Sequence, residues 1–222
     1  VQWIYARDGV AVVVAPDRPD DPSAAGGASL AQRPRQVLAD LLAGNQRFRR
    51  GEPRHGYDIR SAAAASAEQH PAAVVIGCID SRVPLEAVFD QDFGSICVAR
   101  TGGQVLDRAV LGSVEFAVAE LGVCLVMVLG HTRCGAVAAT LAAMRAGERP
   151  AGPLGYLVDE ISPAVAQVGL DAPAEAVTAA HVRRTVATLS CLPAVSAAAD
   201  ARRLGVVGAV YDLDTGGVRV LT

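Results

Sequence analysis

The chain has 222 residues, 51% of them hydrophobic, enough to bury one substantial core and compatible with a single α/β domain. Its formal net charge of −3 is too mild for nucleic acid or an anionic membrane surface as a partner. Five irregularly spaced cysteines in a chain this long do not make a disulfide framework, the longest apolar run falls well short of the roughly 18 residues of a membrane span, and no signal peptide is expected.

Residues 1–35 run through a Pro/Asp-rich and then a Gly/Ala/Ser-rich stretch, which predicts a linker or the end of a preceding domain, with a short strand at Val10–Ala15. Residues 36–222 then form the main domain. Val37–Arg50 predicts a helix closed by Gly51, with Arg47, Arg49 and Arg50 on a solvated face, as are Arg183 and Arg184 further on. Ala73–Gly77 is a short aliphatic run of the kind that forms a doubly covered strand. Leu106–Leu121 carries apolar residues at helical spacing, at Val110, Leu111, Val114, Ala117, Val118 and Leu121. Val123–Gly130 repeats the buried-strand pattern, and Cys134 opens a helix that lasts to Gly147. Glu175–Leu189 predicts another helix, Pro193 suits the first turn of one ending at Gly205, Val206–Tyr211 is a late strand, and Gly216-Gly217 marks a hairpin turn. No period repeats, which excludes solenoids.

Two motifs follow the two buried runs directly: Cys78-Ile-Asp-Ser-Arg82 and His131-Thr-Arg-Cys134. If those strands are parallel neighbours, both motifs emerge at the carboxyl edge of the sheet, where open α/β folds place ligands. Taken alone, either cysteine reads as a small buried hydrophobe and Asp-Ser-Arg as a turn or cap. Together, Cys78, Asp80, His131 and Cys134 offer two thiolates, an imidazole and a carboxylate, a donor set suited to tetrahedral zinc and unlike the all-oxygen sites of magnesium or calcium. Asp80 is the weakest of the four. Arg82, two residues on, can hold a released carboxylate through paired hydrogen bonds, which makes Asp80 a switchable fourth ligand. A thiolate at the start of the helix opened by Cys134 is also favoured by the unpaired N–H groups there. Cys97 and Cys124 fall in apolar strand runs and Cys191 near a helix end; reduced thiols point to the cytoplasm.

The run Cys78–Glu86, followed by Phe89–Gly94, Val98–Gly103, Gly112–Ala117 and Gly130–Gly135, resembles the β-class carbonic anhydrases. Leu42–Phe48 resembles that family's entry helix, and Gly208–Tyr211 with Thr215–Val218 its last strands, so the likeness spans roughly residues 36 to 221. Thr101-Gly102-Gly103 stands where many members have Asn-Ala-Gly, a change at the pocket wall.

The resemblance implies an α/β fold with a mostly parallel central sheet flanked by helices and the zinc site at the carboxyl edge of its strands. It implies one zinc per chain held by Cys78, His131 and Cys134, with Asp80 and Arg82 as a catalytic pair in the reversible hydration of carbon dioxide to bicarbonate and a proton. A homodimer or larger homo-oligomer follows on the same ground, as does fusion to an amino-terminal anion transporter, which some relatives carry; the chain would then be the cytoplasmic domain of a membrane protein. His55 and His70 are shuttle candidates in a family that packs its amino-terminal segment around the cleft, although exposed loop histidines are the simpler reading; His181, in a predicted helix, is not assigned to the site. Two other functions stay open: hydrolysis of carbonyl sulfide or carbon disulfide on the same fold, and a non-catalytic regulatory domain with structural zinc.

Overall fold

The computed structural model describes residues 33–221. The linker and the Val10–Ala15 strand expected ahead of them lie outside the described residues.

Helix α1 (Arg33–Arg50) begins at Arg33, with Pro34 in its first turn, where a missing N–H costs nothing. A short α2 (Ile59–Ala64), capped by Asp58, leads to β1 (Ala73–Cys78) and the single turn α3 (Leu85–Val88). Then come β2 (Ile96–Thr101), α4 (Arg108–Ala119) capped by Asp107, and β3 (Leu125–His131). Four helices follow: α5 (Gly135–Ala146), α6 (Pro153–Val168), α7 (Ala174–Ser190) and α8 (Pro193–Asp200). Strands β4 (Gly205–Tyr211) and β5 (Val218–Val220) close the chain as a hairpin around Gly216-Gly217.

The sheet has the order β2-β1-β3-β4-β5; the first four strands are parallel and β5 is antiparallel. From β1 the chain goes to β2 on one side and then crosses to β3 on the other. The carboxyl ends of β1 and β3 therefore flank the point where strand order reverses, the crevice in which such sheets bind ligands. Both strands are buried along their whole length, because side chains from both faces enter cores. Val74, Ile76, Val126 and Val128 pack with Val110, Val114, Val186 and Leu189 of α4 and α7, whereas Val75, Leu125, Met127 and Leu129 pack with Leu41, Leu85 and Phe89 beside α1 and α3. A third cluster, with Val137, Leu141, Ile161 and Val165 of α5 and α6, surrounds Cys78 and Cys134.

The short helices α2 and α3 are not predicted, and two longer elements also depart from the sequence expectations. Helix α6 is not predicted, since Pro163 interrupts its pattern. The Asp159 carbonyl that Pro163 cannot bond accepts the Ser162 hydroxyl at 3.1 Å instead. Helix α8 stops at Asp200 rather than at Gly205. Arg202 takes a left-handed φ of 57°, and the N–H groups of Arg202 and Arg203 return to Ala199 and Ala198, closing the helix without a glycine.

Arg47, expected on a solvated face, pairs with the carboxylate of buried Asp90. Asp90 also accepts the N–H groups of Arg54 and His55, so it ties the segment after α1 to the turn before β2. Asn45 makes the second tie. It is buried, donates to Val88 O at 3.1 Å and Gly216 O at 2.8 Å, and accepts from Val218 N–H at 2.9 Å. Asn45→Ala leaves two carbonyls and an N–H without partners, and is expected to cost about 3 kcal/mol in urea unfolding.

Candidate metal centre

Strand β1 ends on Cys78 and β3 on His131, and the register Gly77 to Leu129 places the two strand ends side by side. After His131 the chain turns through Arg133, at φ 54°, so that Cys134 becomes the residue that starts α5. The Sγ atoms of Cys78 and Cys134 and a ring nitrogen of His131 then lie within 4.8 Å of one another, all on buried residues.

The protonation of this set fits a metal. His131 Nδ1 lies 2.9 Å from Thr132 O, and a carbonyl only accepts, so Nδ1 carries the ring proton. Nε2 is left with a free lone pair, fully buried and without a hydrogen-bond partner among the described residues. Such an orphaned acceptor beside two thiols is what a soft-ligand cation would satisfy. A bond from Nδ1–H to a carbonyl is also the usual way of fixing a ligating imidazole. Cys134 donating to Cys78 draws the Cys78 thiol well below its ordinary value despite burial, with His131 and the N–H groups of Asp80 and Gly103 contributing. The same contact, with burial, drives Cys134 up, and the N–H groups of Val137 and Ala136 at the start of α5 only partly offset it. Burial opposes a charge on His131, but the Cys78 thiolate outweighs it and its pKa is raised. The pocket thus holds on to protons that a cation would replace.

Asp80 stands apart from these three and faces Arg82. Its Oδ1 accepts from Arg82 N–H at 3.0 Å and Nε at 2.9 Å, and its Oδ2 from Nη2 at 2.6 Å. This bidentate pair holds the carboxyl well below the usual carboxylate range. Oδ2 nevertheless lies 3.9 Å from His131 Nε2, so Asp80 borders the place where that nitrogen would bind a metal. The structure gathers Cys78, His131 and Cys134 and places Asp80 and Arg82 at their border, with Asp80 in its arginine-bound arrangement rather than among the three.

A family model described as carbonic anhydrase matches residues 73–218. Carbonic anhydrase 2 of Mycobacterium tuberculosis is 42% identical over 180 residues, covering 79% of this chain and 87% of that protein. The chain belongs to the β-class carbonic anhydrase family. Among solved structures, the β-carbonic anhydrase CafA of Aspergillus fumigatus is 27% identical with a TM-score of 0.65, covering 84% of this chain and 89% of that one. A tetrameric β-carbonic anhydrase of Sordaria macrospora shares the fold at 22% identity and a TM-score of 0.66, covering 84% of this chain and 97% of that one.

Within this β-carbonic anhydrase, two supports escaped the sequence reading. Arg100 of β2 donates from Nε to Cys78 O at 2.8 Å and from Nη2 to Asp80 O at 2.6 Å, clamping the backbone that carries ligand and carboxylate. Its motif was visible, but bonds to carbonyls leave no mark in side-chain spacing. Gly103 N–H donates to Cys78 Sγ at 3.3 Å. Half-buried His55 faces Asp92, and exposed His70 faces Glu68 and precedes β1 at the opposite, amino edge of the sheet.

Proposed function

We propose that this chain binds one zinc ion through Cys78, His131 and Cys134 and catalyses the reversible hydration of carbon dioxide to bicarbonate and a proton. The observation that carries this reading is a buried three-ligand set bordered by a carboxylate that an arginine holds away from it. Three firm ligands and an open fourth position are the pattern of catalytic zinc, whereas a structural site closes all four. When bound, zinc supplies Lewis acidity that makes a coordinated water nucleophilic near neutral pH, an effect best known from a three-histidine carbonic anhydrase site and tempered here by two thiolates. Asp80, ionised and fixed by Arg82, accepts a hydrogen bond from the reacting water and so sets the direction of its lone pair. Arg100 keeps the Asp80 backbone in place for that task.

The working unit is a homodimer or larger assembly. Supporting this, the edge strand β2 has no strand partner on its outer side among the described residues, and Tyr57, Ile59 and Phe93 are exposed apolar residues. The Sordaria relative is itself described as tetrameric. A reducing, cytoplasmic compartment suits ligands that must stay thiolates, and no helix among the described residues is long and apolar enough to cross a membrane. Residues 36–222 form the catalytic domain on this reading. Fusion to an anion transporter has no support in these comparisons.

Stopped-flow hydration of carbon dioxide tests the proposal. Turnover far above background, abolished by a chelator and restored by zinc, is expected. Background rates from folded, fully zinc-loaded protein would refute the enzyme and favour a regulatory domain, and faster turnover of carbonyl sulfide or carbon disulfide would move the substrate.

A further inference from the structure

The Gly102–Gln104 turn supports itself poorly. Gly103 and Gln104 follow one another at φ 64° and 51°, and for Gln104 that left-handed backbone is strained. Two bonds span the turn, a long one from Val105 N–H to Gly102 O at 3.4 Å and one from the Thr101 hydroxyl to Val105 O at 2.6 Å, and neither of them holds Gly103 itself. The Gln104 amide is fully buried, yet neither of its ends has a hydrogen-bond partner among the described residues, so it gives no anchor. A side chain at Gly103 could not stiffen the turn either, because a Cβ there would meet Ile161 Cδ1 at 2.9 Å and Ala136 Cβ at 3.0 Å. Yet this turn presents the N–H that reaches Cys78 Sγ.

From outside, α7 supplies a bond to it. His181 is buried in the core beside the turn, and its Nε2 lies 3.0 Å from Gly103 O. A carbonyl only accepts, so Nε2 carries the proton and Nδ1 none. Burial keeps the ring neutral by drawing its pKa down to about 4. Gly103 is therefore held from both sides: its carbonyl by His181 and its N–H against the Cys78 sulfur.

We propose that His181 is a positioning residue for the metal centre, holding Gly103 so that its N–H fixes the Cys78 thiolate and slows loss of the metal. The proposal rests on the zinc reading above. Hydrogen bonds to a ligand from the surrounding shell orient it and tune its basicity, and removing them typically costs about 10- to 100-fold in metal affinity. The hydrogen bond that His181 makes from its ring goes to Gly103 and not to a ligand, so its effect on the site would travel through Gly103.

The test compares His181→Leu, which keeps apolar bulk and removes the donor, with His181→Gln, which restores an N–H. His181→Asn, too short to reach Gly103, replaces the leucine variant if that does not fold. Zinc removal by EDTA from the loaded protein is expected to be roughly 10-fold faster in His181→Leu and near the parental rate in His181→Gln. The thiolate-to-cobalt absorption of the cobalt-substituted protein should weaken in His181→Leu alone. In zinc-free protein, hydrogen exchange at the Gly103 amide should quicken in His181→Leu relative to amides of β3. Parental zinc release and parental Gly103 exchange in His181→Leu would overturn the proposal. So would equal losses in the leucine and glutamine variants that track their melting temperatures, since packing alone would then explain both. A parent protein that takes up no zinc refutes the zinc reading instead, and Gly103 exchange in zinc-free protein still decides whether His181 holds the turn.

Discussion

Cys134→Ala is expected to empty the site of zinc while the protein stays folded. With one of three firm ligands gone, Cys78 and His131 alone cannot complete a tetrahedral site. Structural zinc sites bind with roughly 10–16 kcal/mol. Shared among their ligands, that is on the order of 3 kcal/mol each, which lowers affinity by more than about a hundredfold. Cys78→Ala and His131→Ala should behave alike, since all three ligand atoms converge on one buried point. Cys97 and Cys124 supply the control. Cys97 lies within the edge strand β2, and the Cys124 thiol faces Ala72 O at 3.5 Å at the far end of the sheet. Burial raises both thiols, and neither lies in the Cys78, His131 and Cys134 group. Alanine at either position should leave zinc stoichiometric by elemental analysis. Full zinc in Cys134→Ala would refute the ligand assignment.

Acid should release the metal in the same assay. Ligands must shed their protons to bind, so a falling pH favours the proton-sharing pair of Cys78 and Cys134 over the cation.

The convergence of Cys78, His131 and Cys134 was legible in the sequence because their two short motifs directly follow buried strands, so that register brings Cys78 beside His131. The parallel sheet was legible in kind, from aliphatic runs buried on both faces. What escaped has a common physical character. Arg100 and His181 act on backbone carbonyls, and a carbonyl is present at every residue, so no residue type announces it. Arg47 looked like a solvated charge because its buried partner, Asp90, lies 43 residues away in sequence. Helix α6 was hidden by Pro163, whose cost the Ser162 hydroxyl reduces by bonding the carbonyl left over. Apart from the Arg47 and Asp90 ion pair, the deciding bond joins a side chain to main chain, and none of these bonds has a signature in periodicity.

Arg82→Ala is expected to cut carbon dioxide hydration by roughly 10- to 100-fold while zinc content holds. Asp80 would lose both side-chain bonds from Arg82, at 2.9 and 2.6 Å, and charge-assisted bonds are worth about 1.5–3 kcal/mol. Its carboxylate, whose Oδ2 is 3.9 Å from His131 Nε2, is then free to turn toward the position that nitrogen shares with the metal, closing the fourth site. Lysine at position 82 should rescue poorly, because a single ammonium cannot reproduce the bidentate fork. The pH profile separates this switch from simple titration. Asp80 has a depressed pKa, so its ionised form is already complete above the ordinary carboxylate range and is lost only in strong acid. A rise of activity from neutral to alkaline pH therefore cannot be deprotonation of Asp80. If Asp80 competes for the fourth position as proposed, such a rise would follow from water or hydroxide displacing the carboxylate, and Arg82→Ala, which strengthens the carboxylate's claim, should move it to higher pH. Crystal structures of the zinc-loaded protein below and above the rise would show Asp80 exchanging the metal for Arg82. An Asp80 position that stays the same across the rise, or an unshifted profile in Arg82→Ala, would refute the switch.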